Sequence, residues 1–509
     1  MTTQNISAAA LDKEKSSFAT KLNNFENTLK YVFYERYNIN EFSKERGLPA
    51  LVLRDIMADC PLSVAIPKEH GGRGANVREC LAMLSAASYE SLSLSLIFGI
   101  NIALFLEPTA KYANPSIKQG IFDRFLQQKN MGGLMITEPD FGSDALNMQT
   151  YNRKLEDSYH ISGTKHWQGL TGMADYWLIA SRGKRDDGRL NRDIDFFICD
   201  VTQPDQQIVV EEYYNNSGLY AIPYGRNKLD VKIPDAYKLE SKSNGIKTLL
   251  DILHRSRLQF PGMALGFVKR MLDEGIKHCN ERYVGGNPLM ALDQIKYQLA
   301  RVQSAFTVVS AMCHRSSHIS GIDNDLASEG IEANTMKAFA TDLMQDSAQA
   351  MTQLLGSKGY MMESIVGRGI MDSRAFQIFE GSNEMLYTQI TEYIAKLMKK
   401  KKEFNFYDFL KGFSLTDLSV EYFKKELNFD FSTDLCQRKM VDLGRVLSRV
   451  ISFNYVLDMQ DKGFRSDLVD NCLETLKLDV AHFMGIFNAN NSVVPVEAYH
   501  DKSNWQQFF

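Results

Sequence analysis

Apolar residues recur at helical spacing from Phe18 to about Gln128, interrupted once by Ile66-Pro67-Lys68-Glu69-His70-Gly71-Gly72, where proline and paired glycines call for a turn. This pattern predicts a first, helical domain over residues 1–130. From about Gly132 to Leu239 the spacing shortens into β-rich runs such as Asp175 to Ser181 and Asp195 to Val201, parted by Gly, Asn and Asp. A middle β domain over 131–240 follows. Helical spacing returns from Ile246 to Lys399 and predicts a second α domain, 241–400, suited to a four-helix bundle. Two further stripes come after Lys402: Met440, Leu443, Leu447, Val450 and Ile451, then Leu468, Cys472, Leu476, Val480 and Phe483. A solvated tail has no use for such stripes, so residues 401–509 are expected to form a folded helical extension that packs on the core or on a partner subunit.

Composition narrows the function more than the fold. A chain of 509 residues with a net charge of −4 offers no electrostatic case for nucleic acid, and the extension, with 11 basic against 16 acidic residues, offers still less. No run of about eighteen uncharged apolar residues would span a bilayer, and Met1 to Ser17 lacks the apolar region of a secretory signal. Seven scattered cysteines without a C-x-x-C spacing suggest reduced thiols in the cytoplasm, with neither a disulfide framework nor a zinc site. His314 and His318 stand four apart on a helix but lack a carboxylate at matching spacing, so no metal is expected. The basic run Lys399 to Lys402 reads as a helix C-terminus followed by a linker.

Candidate chemistry centres on Ile378-Phe379-Glu380-Gly381-Ser382-Asn383-Glu384. A glycine beside the carboxylate lets a ligand approach the backbone, and Ser382 can cap the helix that follows. Alone, the heptapeptide reads first as an ordinary loop carboxylate ahead of a helix. Four other stretches accompany it. Ile136-Thr137-Glu138-Pro139-Asp140-Phe141-Gly142-Ser143-Asp144 exposes donors around small residues, suited to an acceptor-rich ligand or to a tight turn. Gly163-Thr164-Lys165-His166-Trp167-Gln168-Gly169 holds an indole able to stack on a ring or fill a core. Arg257, Pro261, Gly262, Gly266 and Arg282 lead to Gly286, Pro288, Leu289 and Gln294, and Gln353-Leu354-Leu355-Gly356-Ser357-Lys358-Gly359-Tyr360 ends a helical run. Read singly, the two arginines are solvated helix charges and Gly356 a helix C-cap.

Taken in this order and spacing, these stretches resemble the acyl-CoA dehydrogenase family from about Phe18 to about Ile394. The resemblance implies a multidomain α and β protein: an N-terminal α domain, a middle β domain and a C-terminal four-helix bundle, here with a helical C-terminal extension. It implies FAD, with Ile136, Thr137, Gly142, Ser143, Trp167, Gly169, Arg282, Gln353, Gly356, Ser382 and Glu384 at cofactor-contact positions. Ser143, Arg257 and Gly381 fall at substrate positions, with Arg257 near the nucleotide of the acyl thioester, and Glu380 falls at the catalytic base. The implied reaction takes the α-proton of an acyl thioester on Glu380 and passes the β-hydride to flavin N5, leaving a trans-2-enoyl thioester. An electron-transfer flavoprotein or another acceptor, and a homodimer or homotetramer, are the implied partners.

Three departures are visible. Gly169 stands where the family carries the threonine that bonds near N5, leaving Thr171 or a backbone N–H to serve instead. Gly285 and Met371 replace a usual phenylalanine and arginine. An acyl thioester oxidase, a carrier-protein thioester as substrate, and a family-fold flavoprotein that performs no dehydrogenation all remain open to the sequence.

Overall fold

The computed structural model describes residues 8–241, 243–432, 434–489 and 493–508, with side chains from Ser17. Three longer helices lead, α1 (Ala8–Lys30), α2 (Val77–Glu90) and α3 (Leu92–Asn101), with shorter pieces around them. Helix α2 starts on Asn76, whose side chain accepts from the Arg78 N–H, and α3 on Ser91, whose hydroxyl accepts from Leu94. The segment Leu92–Tyr112 is long and apolar enough to cross a membrane by composition, yet 94% of it is buried inside the fold. Its uncharged part ends at Glu107, short of a run of about eighteen uncharged residues. Leu92, Ile97, Phe98, Ile102, Phe105 and Leu106 fill the core instead of meeting lipid.

The middle region forms a mixed seven-stranded sheet from β1 (Gly132–Met135), β2 (Tyr151–Lys154), β3 (Ser158–Gly169), β4 (Tyr176–Gly183), β5 (Asp195–Asp200), β6 (Val209–Tyr213) and β7 (Tyr224–Pro234). Strand order is β1-β4-β2-β3-β7-β6, with β5 also paired to β4. Residue type explains two positions in it. β4, Tyr-Trp-Leu-Ile-Ala-Ser, is apolar on both faces and lies among β1, β2 and β5, whereas β7 buries Asn227, Leu229, Val231 and Ile233 on alternate positions and exposes the residues between.

Helices α4 (Gly245–Arg257), α5 (Phe260–Glu281), α6 (Asp293–Ile319), α7 (Gly330–Leu355) and α8 (Asn383–Lys401) build the second helical layer. α4 and α5 are parted at Leu258 and Gln259, with Pro261 in the first turn of α5, where a missing N–H costs nothing. α7 is buried nearly all round. It therefore carries polar groups, Asn334, Lys337 and Gln345 among them, that must find partners inside.

Lys399, Lys400 and Lys401 close α8, and Lys402 turns out of it in the left-handed region, φ 56°. No linker follows: a short helix starts at Phe406, and the extension adds α9 (Gln437–Asp461) and α10 (Ser466–Asn488). Its stripes pack on the core of the same chain. Leu443, Leu447, Val450, Leu476 and Val480 are buried, and the Arg449 guanidinium lies 4.3 Å from the ring centres of both Phe339 on α7 and Phe483 on α10. Gly444 is what lets α9 approach α8, since a Cβ there would stand 2.2 Å from the Tyr387 carbonyl oxygen.

Removal of residues 403–509 is therefore expected to strip the cover from α6, α7 and α8, giving aggregation or an altered oligomeric state and a lower melting temperature. Size-exclusion chromatography with light scattering and a thermal melt check this; a monodisperse truncation of unchanged stability would contradict the packing just described.

Candidate active site

The turn Glu380-Gly381-Ser382 joins the short helix Ile365–Arg374 and its following turn to α8. Both Glu380 (φ 54°) and Gly381 (φ 95°) lie in the left-handed region. Glycine takes such a conformation freely, but a glutamate there costs on the order of 1–3 kcal/mol, so neighbours must hold it. They do. Arg257, at the end of α4, donates from Nη2 (2.7 Å) and Nε (3.2 Å) to the Glu380 carbonyl oxygen and from Nη1 to Asn334 Oδ1 (2.7 Å). Lys337 on α7 donates to the Gly381 carbonyl oxygen at 2.8 Å and to Asn383 Oδ1 at 2.9 Å. Ser382 adds nothing to this hold: its hydroxyl makes no cap bond to α8, contrary to the capping role expected of it.

The side chain is arranged for proton chemistry. Ser256 Oγ donates to Glu380 Oε1 at 2.8 Å, while Oε2 is buried with no hydrogen-bond partner. Burial pushes the Glu380 carboxyl above its ordinary value, against the opposing pulls of Arg257, Ser256 and Lys337. Desolvation thus prevails over the adjacent cations. The same burial brings the Lys337 ammonium down to about 7 despite Glu380 nearby. Phe260, Phe376 and Phe379 form an aromatic cluster with centroids 5.0 to 6.0 Å apart beside the turn, keeping water away.

A second group of predicted residues lies on the sheet. A register shift between His166 and Gln168 lifts Trp167 out of β3 at φ 58°, leaving it 51% exposed and tilted against Tyr214 (4.6 Å). A half-exposed indole beside a sheet offers a face to a flat ring. Beneath it Lys165 is fully buried, bonded to Glu138 (3.0 Å) and to the Ile136 carbonyl (2.7 Å), and Glu138 accepts from the N–H groups of Gln149 and Thr150. That ion pair anchors the Ile136–Asp144 stretch, whose Gly142 and Ser143 face solvent. Thr137 gives its carbonyl to the His166 N–H and to Gln168.

Several sequence expectations change. Arg257 is buried and spends its guanidinium on Glu380 and Asn334, so it positions the base turn and is not free for a substrate nucleotide. Thr171 cannot replace a hydroxyl missing at 169: it donates to Gln168 and accepts from Asn227 inside the core. A Cβ on Gly169 itself would come within 2.8 Å of Ile100 and 3.4 Å of Ile222 and Tyr224, whose side chains occupy that space. Arg282, Gln353 and Gly356 are exposed, and Glu384, also exposed, has Arg445 at 3.9 Å. Lys337, Asn334 and Ser256 are polar neighbours whose hydrogen bonds to the turn or to Arg257 sequence reading did not assign. The signal for Lys337 was a single lysine in the apolar run Met336 to Ala340. His314 and His318 sit 4.5 Å apart with Lys462 bonded to His314, and no metal cluster exists among the described residues.

Comparison with known proteins places these features. Residues 133–231 match the model of the acyl-CoA dehydrogenase middle domain and residues 243–395 that of the acyl-CoA dehydrogenase C-terminal domain. An acyl-CoA dehydrogenase of Bacillus subtilis is 26% identical over 376 residues, 70% of this chain and 96% of that protein. The mitochondrial short-chain specific acyl-CoA dehydrogenase of Rattus norvegicus is 26% identical over 346 residues, 68% and 82% respectively. Among solved structures, an acyl-CoA dehydrogenase from Bacillus anthracis complexed with FAD superposes with a TM-score of 0.75 at 16% identity, covering 96% of this chain and 89% of that one, so its likeness includes the extension. The prolyl acyl carrier protein oxidase AnaB gives 0.65 at 15% identity over 73% of this chain and 98% of its own.

The raised pKa of Glu380 has a consequence for stability. A carboxyl whose folded pKa exceeds its unfolded one contributes stability that is complete below the unfolded value and lost as pH rises through the folded value. The native carboxylate becomes a net cost as pH rises, so Glu380→Gln is expected to gain about 1–2 °C in melting temperature over the wild type as the pH is raised from 4 to 8. Thermal melts of both proteins across that range check the sign; a variant that loses ground to the wild type as pH rises would mean that Arg257 and Lys337 outweigh burial.

Proposed function

The chain belongs to the acyl-CoA dehydrogenase family, and from that premise we propose that it is an FAD-dependent enzyme that dehydrogenates an acyl thioester at the α and β carbons, with Glu380 as the base. The observation that carries this reading is the Glu380 carboxylate itself, with one oxygen held by Ser256 and the other buried and unpartnered. Oε1 fixes the orientation. Oε2 keeps its lone pairs for the α-proton, and desolvation makes it a stronger base than a free glutamate. Arg257 and Lys337, by fixing the carbonyl groups of Glu380 and Gly381, hold the carboxylate at the place where the α-carbon must arrive.

The residues present fit FAD. Trp167, half-exposed at its bulge, and the anchored Ile136–Thr137 pair would hold the flavin ring; Arg282, Gln353 and Gly356 lie open for the dinucleotide, with Gly142, Ser143, Ser382 and Glu384 as further contacts. FAD, when bound, supplies the acceptor for the β-hydrogen as hydride. Ser143 and Gly381 are the proposed substrate contacts. The exposed positions of Arg282 and Gln353 suit a homodimer or homotetramer in which one subunit covers the cofactor of another, and an electron-transfer flavoprotein or another acceptor would take the electrons. Seven free thiols suit a reducing, cytoplasmic setting.

Anaerobic stopped-flow mixing of the flavoprotein with a panel of acyl-CoA thioesters tests the reading. The wild type should bleach with at least one of them, and Glu380→Gln should retain FAD yet reduce it about a hundredfold to ten-thousandfold more slowly. Equal rates would remove Glu380 from the mechanism. A wild type inert to every thioester would favour a member of the fold that performs no dehydrogenation, and rapid reoxidation by air alone would mark an oxidase.

A further inference from the structure

Nothing in the family's ordinary core accounts for α9 and α10, yet they meet the active site from behind. The first turns of α8 follow the base turn directly, and the outer face of α8 is covered by α9. Thr391 donates to the Met440 carbonyl oxygen at 2.7 Å, Gly444 lies against the Tyr387 backbone, and the Arg445 guanidinium stands 5.7 Å from the Tyr387 ring centre and 3.9 Å from Glu384. From Tyr387 inward the contacts run without a gap. Its hydroxyl donates to Asp342 Oδ2 at 2.6 Å, and Asp342 Oδ1 accepts from Asn383 Nδ2 at 2.7 Å. Asn383 Oδ1 accepts from Lys337, and Lys337 holds the Gly381 carbonyl oxygen.

Left-handed backbone at a glutamate persists only where its surroundings fix it, and the Ser382 hydroxyl gives no help from within the turn. Position along α8 is the remaining variable: a slide or rotation of its first turn carries Asn383, and with it Lys337 and the turn. We propose that the C-terminal extension is a positioning element of the active site, in which Gly444 and Arg445 on α9 hold Tyr387 and the first turn of α8 in the register that presents Glu380 to Ser256. This inference deepens the reading of Glu380 as the base and rests on it. Gly444 sets the distance between the helices, and Arg445 pins the end of α8 nearest the turn. Neither residue is among the proposed substrate contacts.

The test uses full-length protein loaded with FAD in four forms: wild type, Gly444→Ala, Arg445→Ala and Arg445→Lys. Hydrogen exchange read by mass spectrometry reports on peptides spanning 381–387. Anaerobic reduction by the acyl-CoA that bleaches the wild type best yields a limiting rate and a substrate dissociation constant. Gly444→Ala should speed exchange in that segment at least tenfold and lower the limiting rate at least tenfold, with the dissociation constant within about twofold of wild type. Arg445→Ala should move both in the same direction by about threefold or more, and Arg445→Lys, which keeps the charge near Glu384, should recover most of the loss. Should Gly444→Ala fail to fold, the arginine pair decides. Faster exchange confined to α9 and α10, or a limiting rate unchanged in Arg445→Ala, would overturn the proposal. If no acyl-CoA reduces the wild type, the functional reading fails on that arm while the exchange data still judge the coupling.

Discussion

The two hydrogen bonds from Arg257 to the Glu380 carbonyl oxygen are the constraint on which the site depends. They hold a glutamate in backbone geometry it would otherwise leave, and they bring a permanent cation next to the carboxylate proposed as the base. Those two effects oppose each other. A cation at the carboxylate itself would weaken it, but Arg257 spends its donors on the Glu380 main-chain carbonyl and on Asn334, and burial of the carboxyl is the larger influence. Geometry is thereby gained with only part of the basicity lost. The break between α4 and α5 at Leu258 and Gln259 serves the same end, because it allows Ser256 and Arg257 to face the turn from the tip of one helix while Phe260 starts the next.

How much of this was legible in the sequence depended on the range of the interaction. Changes in apolar period marked where helices give way to strands and return, because that signal is local and repeated many times. The Glu380 turn was legible only through its company: alone the heptapeptide reads as an ordinary loop carboxylate, and the four other stretches in the same order are what single it out. What was hidden lies far apart in the chain. Ser256 and Glu380 are 124 positions apart, and Lys337 reaches Gly381 across 44. No local pattern separates a serine that will orient a carboxylate from one that merely tolerates a helix. Arg257 was placed in the right neighbourhood but with the wrong partner, since spacing gives a position along the helix and says nothing of which groups its guanidinium meets. At Gly169 the missing hydroxyl was visible at once, whereas the three side chains filling its space, from Ile100, Ile222 and Tyr224, were not.

The extension changes the economy of the second helical layer. A bundle such as α5 to α8 ordinarily leaves outer faces polar, and here two of those faces are apolar because α9 and α10 cover them. Arg449 between two aromatic rings shows how far the extension has become core: a charged group is accepted there because its stem and its flat guanidinium match the rings on either side. Helices added to a chain in this way cannot be judged by their own stripes alone, for their sequence cost is shared with the surface they cover.

The buried stretch Leu92–Tyr112 bears on how the chain is made. Its apolar residues are sheltered by partners that emerge from the ribosome much later: Gly99 rests against Met263, more than 160 residues on. At ordinary elongation rates that interval lasts roughly ten to thirty seconds. Throughout it a segment with the length and hydropathy of a membrane span is exposed on a nascent chain, and it is a natural client for chaperones and a false signal for insertion machinery. In the finished fold its two charged residues, Glu107 and Lys111, each find a buried partner, in Gln259 and Asp251, and so help tie the first helical layer to the second.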